Sequence, residues 1–194
     1  MKLECICNKI FVGYAKRFIK KPKNIEYNVK TVEYKNIKNF LDGDVLQCRD
    51  GLLNKTYSKK INYIKKYDII IPLIQSLRYK LDYIFIDKDL PYDNCIVSES
   101  ILVIRCINID TSKYLNLILS TPAILSQLQK TCKLNSSIEL AKIYSVTGRI
   151  SKSIIASLNI NMIDSVQMKS LIQEYDNANQ KFQNIKHQIA LTQQ

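Results

Sequence analysis

The sequence predicts an α+β fold, in which a globular domain with a mixed β-sheet and flanking helices (residues 1–160) precedes a long C-terminal coiled-coil helix (residues 161–194). Nearly half of the residues are apolar and the charged fraction is ordinary, as expected of a chain that buries a core. Short apolar runs between residues 68 and 107 indicate buried strands. After residue 165, apolar residues recur every three and four positions without Gly or Pro, which indicates a helix.

The first 66 residues are basic and have weak hydrophobic patterning. A basic amphipathic stretch runs to about Asn24, and Pro22 ends any helix or strand there. Residues 27–45 alternate loosely between apolar and polar and then meet the turn signal of residues 42–44, Asp-Gly-Asp. Asp50-Gly51 predicts a second turn, and residues 54–66 form a polar, basic stretch.

The middle of the chain carries the strand signals. In residues 68–74 an aspartate is followed by an apolar run, which predicts a strand buried on both faces, with residues 83–86 as its neighbour. Residues 101–107 give the strongest strand signal in the chain. A helix follows with Thr111 or Ser112 as its expected N-cap, and Thr121-Pro122 starts a second one as a cap followed by a proline at the first helical position.

The terminal helix has a narrow apolar seam on an otherwise polar surface. A repeat near 3.5 residues keeps one stripe facing a partner helix, so we expect a docking rod that forms a dimer or a tight subunit contact. The alternative is a terminal helix folded back on its own domain. The residues of the seam are Met168, Leu171, Tyr175, Ala178, Phe182, Ile185 and Ile189.

Positive charge is concentrated at the front of the chain. Residues 1–66 contain 16 Lys or Arg and 6 Asp or Glu, a balance of +10, whereas residues 67–194 contain 13 and 11, a balance of +2. This asymmetry favours a polyanion, most simply double-stranded DNA, over the alternative of a Lys-rich solvated surface. The expected DNA-facing residues are Arg17, Lys20, Lys21, Lys23, Arg49, Lys55, Lys59 and Lys60.

The two arginines in this set, Arg17 and Arg49, are the expected base readers, because a guanidinium can form two hydrogen bonds to guanine. The lysines are expected to contact phosphates, and Tyr57 and Tyr63 to hydrogen-bond or stack.

Signals for catalysis are poor. The single histidine, His187, lies on the terminal helix, and the four glycines form no phosphate-binding pattern. Acid–lysine spacing typical of nucleases is missing, and the six cysteines lack the spacing of a zinc site. We therefore expect a binding protein with no catalytic residues, metal or cofactor. Without an 18-residue apolar run or a signal-peptide pattern, we also expect a cytoplasmic protein that does not bind membranes.

The order of these elements resembles the specificity subunits of type I restriction–modification systems. Residues 65–71, Lys-Lys-Tyr-Asp-Ile-Ile-Ile, are similar to the "Leu-Lys-x-Gly-Asp-Ile-Leu-Ile" strand of that family, with Tyr67 at the position of the glycine. A later motif of the family, "Tyr-Leu-x-x-x-Leu-x-Ser", is similar to residues 114–120, in which Ser120 comes one position earlier than the motif's serine. Gly148 is the candidate for the family's glycine turn. Ile154, Leu158 and Ile160 match the apolar pattern that leads to the family's long helix. Gln167 matches the glutamine near the start of that helix, although residues 161–164 lack the family's prolines.

The resemblance implies a half-size, non-catalytic DNA-recognition subunit. A full specificity subunit has two target recognition domains, each reading one half of a split DNA site, and helices that set the distance between them. This chain has one domain and one helix, so the resemblance implies a homodimer or pairing with another specificity half. It also implies docking onto a methyltransferase (modification) subunit and, through it, the motor–nuclease subunit. The alternative is a degenerate interaction protein that binds a partner helix without sequence-specific DNA binding.

Overall fold

The computed structural model of the protein describes residues 1–15, 25–54, 61–77, 80–132 and 147–192. The strands and helices confirm an α+β architecture. A short 3-10 helix, Leu3–Ile6, comes first. The strands are β1 (Cys7–Val12), β2 (Ile25–Val32), β3 (Arg49–Asn54), β4 (Ile69–Pro72), β5 (Ile74–Ser76), β6 (Ile84–Phe85), β7 (Cys95–Val97), β8 (Ile101–Cys106) and β9 (Thr147–Arg149). The helices are α1 (Tyr34–Leu41), α2 (Ile109–Leu119), α3 (Pro122–Thr131), α4 (Lys152–Ala156) and α5 (Ser165–Thr192).

The largest sheet has four antiparallel strands in the order β1-β8-β4-β6. Its two central strands are buried on both faces, which confirms the predictions from their continuous apolar runs. On one face, Ile69 and Leu102 pack in a cluster with Leu115 of α2. On the other face, Ile70 and Val103 pack in a second cluster with residues of α1. The sheet is therefore the middle layer of the domain.

Two smaller sheets complete the domain. The first has the order β3-β2-β7, with β2 antiparallel to β3 and parallel to β7, so the sheet is mixed as predicted. The second pairs β5 with β9. Two predicted turns are wrong: Gly51 lies inside β3 opposite Val29, and Gly148 lies inside β9 opposite Gln75. At both positions, pairing with a strand distant in sequence overrides the local turn preference of glycine.

For residues 27–45 the sequence shows a loose alternation of apolar and polar residues. In the structure, helix α1 forms in the second half of this stretch. Tyr34, Ile37 and Leu41 are spaced three and four apart, which also fits one face of a helix. Glu33 caps the helix, and its backbone N–H donates to the side chain of Asn36 at 3.3 Å. The predicted turn after the helix is confirmed, and Gly43 adopts a φ of +117° there.

The sequence predicts the N-caps of both α2 and α3, and the structure confirms only the cap of α3. Helix α2 begins earlier than expected, because Asn108 is its N-cap and accepts a hydrogen bond from the Thr111 backbone N–H at 2.8 Å. Thr111 and Ser112, the predicted caps, are instead buried inside the helix. Helix α3 starts as predicted, with Thr121 as N-cap and Pro122 in the first turn.

Helix α5 begins at the predicted place and runs for 28 residues, about 42 Å at 1.5 Å per residue. Asp164 caps it, since one carboxylate oxygen accepts from the backbone N–H groups of Val166 and Gln167, both at 2.9 Å. Its first turns are anchored in the domain, where Met168 and Ile172 join the core cluster.

The segment that leads to α5 is held by the other end of the chain. The backbone N–H of Leu3 donates to Leu158 at 2.8 Å, and that of Ile160 donates to Met1 at 2.7 Å. Leu158 and Ile160 are almost fully buried. The chain therefore enters α5 from a fixed position.

An ion pair inside the domain links β8 to the segment before β4. Arg105 binds the Asp68 carboxylate through Nε at 2.8 Å and a terminal nitrogen at 2.7 Å, and it also donates to the Tyr63 carbonyl at 2.7 Å. Asp68 also accepts from the Lys65 backbone N–H at 2.8 Å. Burial raises the pKa of Asp68, and the Arg105 guanidinium opposes this effect. The carboxylate is 1% exposed and the guanidinium side chain 23%, so each depends on the other.

Tyr67 has a φ of +68°, in the left-handed region that favours glycine. It occupies the position where the similar family has Gly. The backbone conformation is fixed by two contacts: the Tyr67 N–H donates to Ile86 at 2.7 Å, and its carbonyl accepts from the Ser112 hydroxyl at 2.9 Å. The Tyr67 ring lies 6.1 Å from that of Phe85, which offsets part of the backbone strain.

Replacing Asp68 with Asn is expected to lower the free energy of unfolding by about 3 kcal/mol, because Arg105 loses its counter-charge in a largely buried site. Urea denaturation followed by circular dichroism measures the change. Asp89→Asn is the control, because Asp89 pairs with Lys66 at the surface and its loss is expected to matter little. Equal stabilities of the two variants would contradict a structural role for the Arg105 pair.

Tyr67→Gly is expected to be more stable than Tyr67→Ala by about 1 kcal/mol, because both variants lose the ring but only Ala retains the cost of a positive φ. At Lys65, which has no positive φ, the order should reverse and Ala should be the more stable. Paired urea titrations of the four variants give both differences. The same order at both positions would argue against the left-handed conformation of Tyr67.

Candidate nucleic-acid interface

Two segments of the chain concentrate positive charge without any acidic residue. Residues 16–24 contain five Lys or Arg, and residues 55–60 contain three Lys. Both segments lie outside the described residues, but the residues at their four ends are described. Seven of the eight predicted DNA-facing residues fall in these segments: Arg17, Lys20, Lys21, Lys23, Lys55, Lys59 and Lys60.

The two segments share their first attachment point. Ile25, which follows the first segment, and Asn54, which precedes the second, are partners at one end of the β2–β3 ladder. Directly opposed residues of antiparallel strands lie about 4.5–5.5 Å apart. The strand pairing therefore brings together the described residues at which the first basic segment ends and the second begins.

The other ends of the segments are also held together. The Tyr14 hydroxyl, just before the first segment, accepts a hydrogen bond from the Asn62 backbone N–H, just after the second, at 2.8 Å. Lys9 also hydrogen-bonds the Asn62 side chain. Tyr14 is itself fixed by β7, since its backbone N–H donates to the Val97 carbonyl at 2.8 Å. Each basic segment therefore begins next to one of these two attachment points and ends next to the other.

A small apolar cluster supports these attachment points. Val29, Leu53 and Ile96 are buried together, and the residues packed against them are Tyr14, Ile61 and Tyr63. The two segments that these points flank contain eight Lys or Arg and no acidic residue in sequence. Tyr14 and Asn62 were not singled out from the sequence, because nothing in the sequence links two residues 48 positions apart.

Arg49 lies apart from the other predicted DNA-facing residues. It is exposed at the start of β3 opposite Thr31, five residues from Asn54. At 3.4 Å per residue this places it roughly 17 Å from the shared end of the ladder. The structure therefore does not bring Arg49 to the attachment points, and its role as a base reader stays a prediction. Tyr57 lies outside the described residues, and Tyr63 is partly buried, with its carbonyl bound to Arg105.

Described lysines near this region have acidic neighbours. Lys30 pairs with Asp50 at 2.6 Å, and Lys66 pairs with Asp89 at 2.7 Å. The hydrogen bond to Asp50 raises the pKa of Lys30, and that to Asp89 raises the pKa of Lys66. These lysines already have a counter-charge, whereas residues 16–24 and 55–60 carry none of their own.

Within the described ranges, no three His, Cys, Asp or Glu side chains are grouped as metal ligands would be. Across the same part of the chain, no helix combines the length and the apolar content needed to span a membrane.

The apolar seam of α5 divides into a docked start and an exposed remainder. Met168, predicted as its first residue, is only 7% exposed and belongs to the core of the domain. Phe182 and Ile185 are 60% and 54% exposed. The other exposed seam residues are Leu171, Tyr175, Ala178 and Ile189.

The stripe through which helix α5 docks on its own domain shares Met168 with the seam and then diverges from it. Met168 and Ile172 face the core, and Asp176 forms an ion pair with Lys113 of α2 at 2.7 Å. At 100° per residue these three positions lie on one side of the helix. Phe182 and Ile185 point away from the middle of that side by roughly a quarter of a turn or more. The terminal helix is therefore anchored intramolecularly at its start, and the later part of its seam is exposed.

Comparison with known proteins gives the fold. No family model and no curated protein matches the sequence. Among solved structures, one concerned with complex assembly and conformational transition of the type I R-M system contains a similar chain, with a TM-score of 0.61 and 14% identity over 96% of this chain and 43% of that one. This chain therefore shares the fold of that chain of the type I R-M system.

A second similar structure is the type I restriction–modification S subunit from M. genitalium, with a TM-score of 0.46 and 13% identity over 95% of this chain and 39% of that one. The chain spans less than half the length of either solved chain.

Proposed function

We propose that this chain is a non-catalytic DNA-recognition subunit of a type I-like restriction–modification system, which reads one half of a bipartite target. The observation that carries the proposal is the pair of basic segments attached at the same two places on a domain with the specificity-subunit fold. A duplex presents phosphates on both strands, and two adjoining cationic segments suit such a surface. Residues 1–160 are the recognition domain in this proposal, and residues 161–194 are the coiled-coil helix.

The second part of the proposal concerns α5. The chain covers 43% of its solved neighbour, which fits one recognition domain and one helix of a two-domain subunit. Two copies that pair their exposed seams would restore two recognition domains at a fixed separation. Phe182 and Ile185 are the central contacts, because burying each contributes about 1.5–3 kcal/mol. A separate specificity half is the alternative partner for the same seam.

The remaining partners follow from the resemblance to specificity subunits. The assembled pair docks onto a methyltransferase subunit and, through it, onto the motor–nuclease subunit. DNA methylation is then the reaction of the complex, and this chain supplies the choice of sequence. Co-purification with a methyltransferase subunit, followed by mapping of methylated bases, tests this part.

The triple variant Lys20→Ala/Lys21→Ala/Lys23→Ala is expected to weaken binding to duplex DNA and to flatten its salt dependence. Each phosphate contact contributes about 0.9 to the slope of log K against log salt, so the slope should fall by up to about 3. Fluorescence anisotropy with a labelled duplex, repeated over a range of salt concentrations, measures it.

The control for that experiment is Lys130→Ala/Lys152→Ala/Lys169→Ala, which removes the same charge from exposed positions on α3, α4 and α5. It is expected to leave the slope nearly unchanged. If both triple variants lower the slope equally, binding follows net charge and the proposed interface is wrong. If the native chain does not bind duplex DNA, the degenerate interaction protein becomes the better interpretation.

Ile185→Asp is expected to separate the dimer, because a charge at the centre of the paired seam cannot be buried without a large desolvation cost. The recognition domain should stay folded, since Ile185 is exposed and lies beyond the docked turns of the helix. Sedimentation equilibrium gives the oligomeric state, and circular dichroism reports folding. Asn184→Asp, an equal charge change at an exposed position off the seam, should remain dimeric. A dimeric Ile185→Asp protein, or a monomeric native chain, would contradict seam pairing.

A further inference from the structure

Two cysteines from distant parts of the chain lie side by side on adjacent strands of the four-stranded sheet. Cys7 in β1 and Cys106 in β8 are direct partners in the antiparallel ladder. All six cysteines of the chain are free thiols. Side chains of directly opposed residues project from the same face of a sheet, so the two sulfurs are neighbours.

The hydrogen bonds around this pair define its geometry. The Ile107 backbone N–H donates to the Ile6 carbonyl at 3.2 Å, which makes residues 6 and 107 the hydrogen-bonded pair. Cys7 and Cys106, one step along the ladder, therefore form a non-hydrogen-bonded pair. In a regular ladder the Cα atoms of such a pair lie about 4.5 Å apart, at the short end of the roughly 4.4–6.8 Å range seen in disulfides. Here the register shifts between Cys7 and Lys9, so the pair lies directly beside a β-bulge.

The two thiols are close enough to affect each other's ionisation. The neighbouring Cys7 thiol lowers the pKa of Cys106, and the neighbouring Cys106 thiol raises the pKa of Cys7. Cys106 is 7% exposed and packs in the core cluster, whereas Cys7 is half-buried at its edge. A reagent from solution therefore meets Cys7 first, with Cys106 behind it.

We propose that Cys7 and Cys106 are a redox pair that closes reversibly into a cross-strand disulfide, with a low-molecular-weight disulfide such as glutathione disulfide as the oxidant. One thiol of the pair loses its proton, its sulfur bonds to one glutathione sulfur, and the second glutathione leaves as a thiolate that takes up a proton. The other protein sulfur, after losing its own proton, then bonds to the first protein sulfur and releases the remaining glutathione. The two protein thiols are oxidised and one glutathione disulfide is reduced to two thiols.

This bond would join the N-terminal strand covalently to the centre of the sheet. Strand β1 leads directly to Tyr14, which fixes one end of residues 16–24. The closed pair would therefore lock that strand without occupying the basic segments or the seam of α5. The redox proposal depends on the pairing of β1 with β8. It does not depend on the proposed DNA recognition, so either proposal can be wrong without affecting the other.

The test exposes the full-length native protein to glutathione disulfide, quenches with acid, and alkylates the remaining thiols after unfolding. Peptide mapping by mass spectrometry should find a single disulfide, Cys7–Cys106, with the number of alkylated cysteines reduced from six to four. Reduced glutathione should restore all six. Cys7→Ser should abolish the disulfide, whereas Cys5→Ser, which removes an exposed thiol two residues away, should leave its yield unchanged.

Three results would overturn the proposal, and none requires a variant to fold. The first is retention of six alkylated cysteines at oxidant levels that convert an exposed model dithiol. The second is accumulation of a glutathione adduct at Cys7 that Cys106 does not resolve. The third is a disulfide between another pair, such as Cys5 with Cys7 or Cys48 with Cys95.

Discussion

The ion pair between Arg105 and Asp68 is the constraint on which the rest of the structure depends. Arg105 belongs to β8, the strand that pairs with both β1 and β4, and its guanidinium carbon lies 5.8 Å from the centre of the Phe11 ring. Through Asp68 and the Tyr63 carbonyl it fixes the segment that leads from the second basic stretch into β4. The contact between Asn62 and Tyr14 follows, because Asn62 precedes that fixed segment by one residue.

The two parts of the proposed function use separate surfaces of the chain. Positive charge without an internal counter-charge is attached around the small cluster of Val29, Leu53 and Ile96, whereas the exposed apolar seam lies on the later turns of α5. The start of α5 is held by Met168 and by the pair of Lys113 with Asp176, so the direction in which the helix leaves the domain is defined. A pair of seams would therefore hold two domains at a separation set by these contacts.

The sequence predicts the parts of the fold in which local pattern and tertiary burial agree. The apolar runs of β4 and β8 indicate burial on both faces, and the cap with proline at residues 121–122 starts α3 correctly. Prediction fails where a distant partner decides the conformation. Gly51 suggests a turn until β2 pairs with its strand, and α2 starts from Asn108 because β8 ends just before it. The candidate interface could also be predicted only in part. Composition identifies the two basic segments, but only the contacts between their flanking residues show that the segments are attached at the same points.

Tyr67 shows how a left-handed backbone conformation is held without glycine. Glycine tolerates a positive φ at no steric cost, and the family that the sequence resembles has glycine at this position. Here a tyrosine adopts a φ of +68°, and the hydrogen bonds to Ile86 and Ser112 impose it. The Tyr67 ring also packs near that of Phe85. These contacts fix the backbone path into β4, and that path positions Asp68 for Arg105. A tyrosine can therefore occupy this position because its tertiary contacts offset the steric cost of the positive φ.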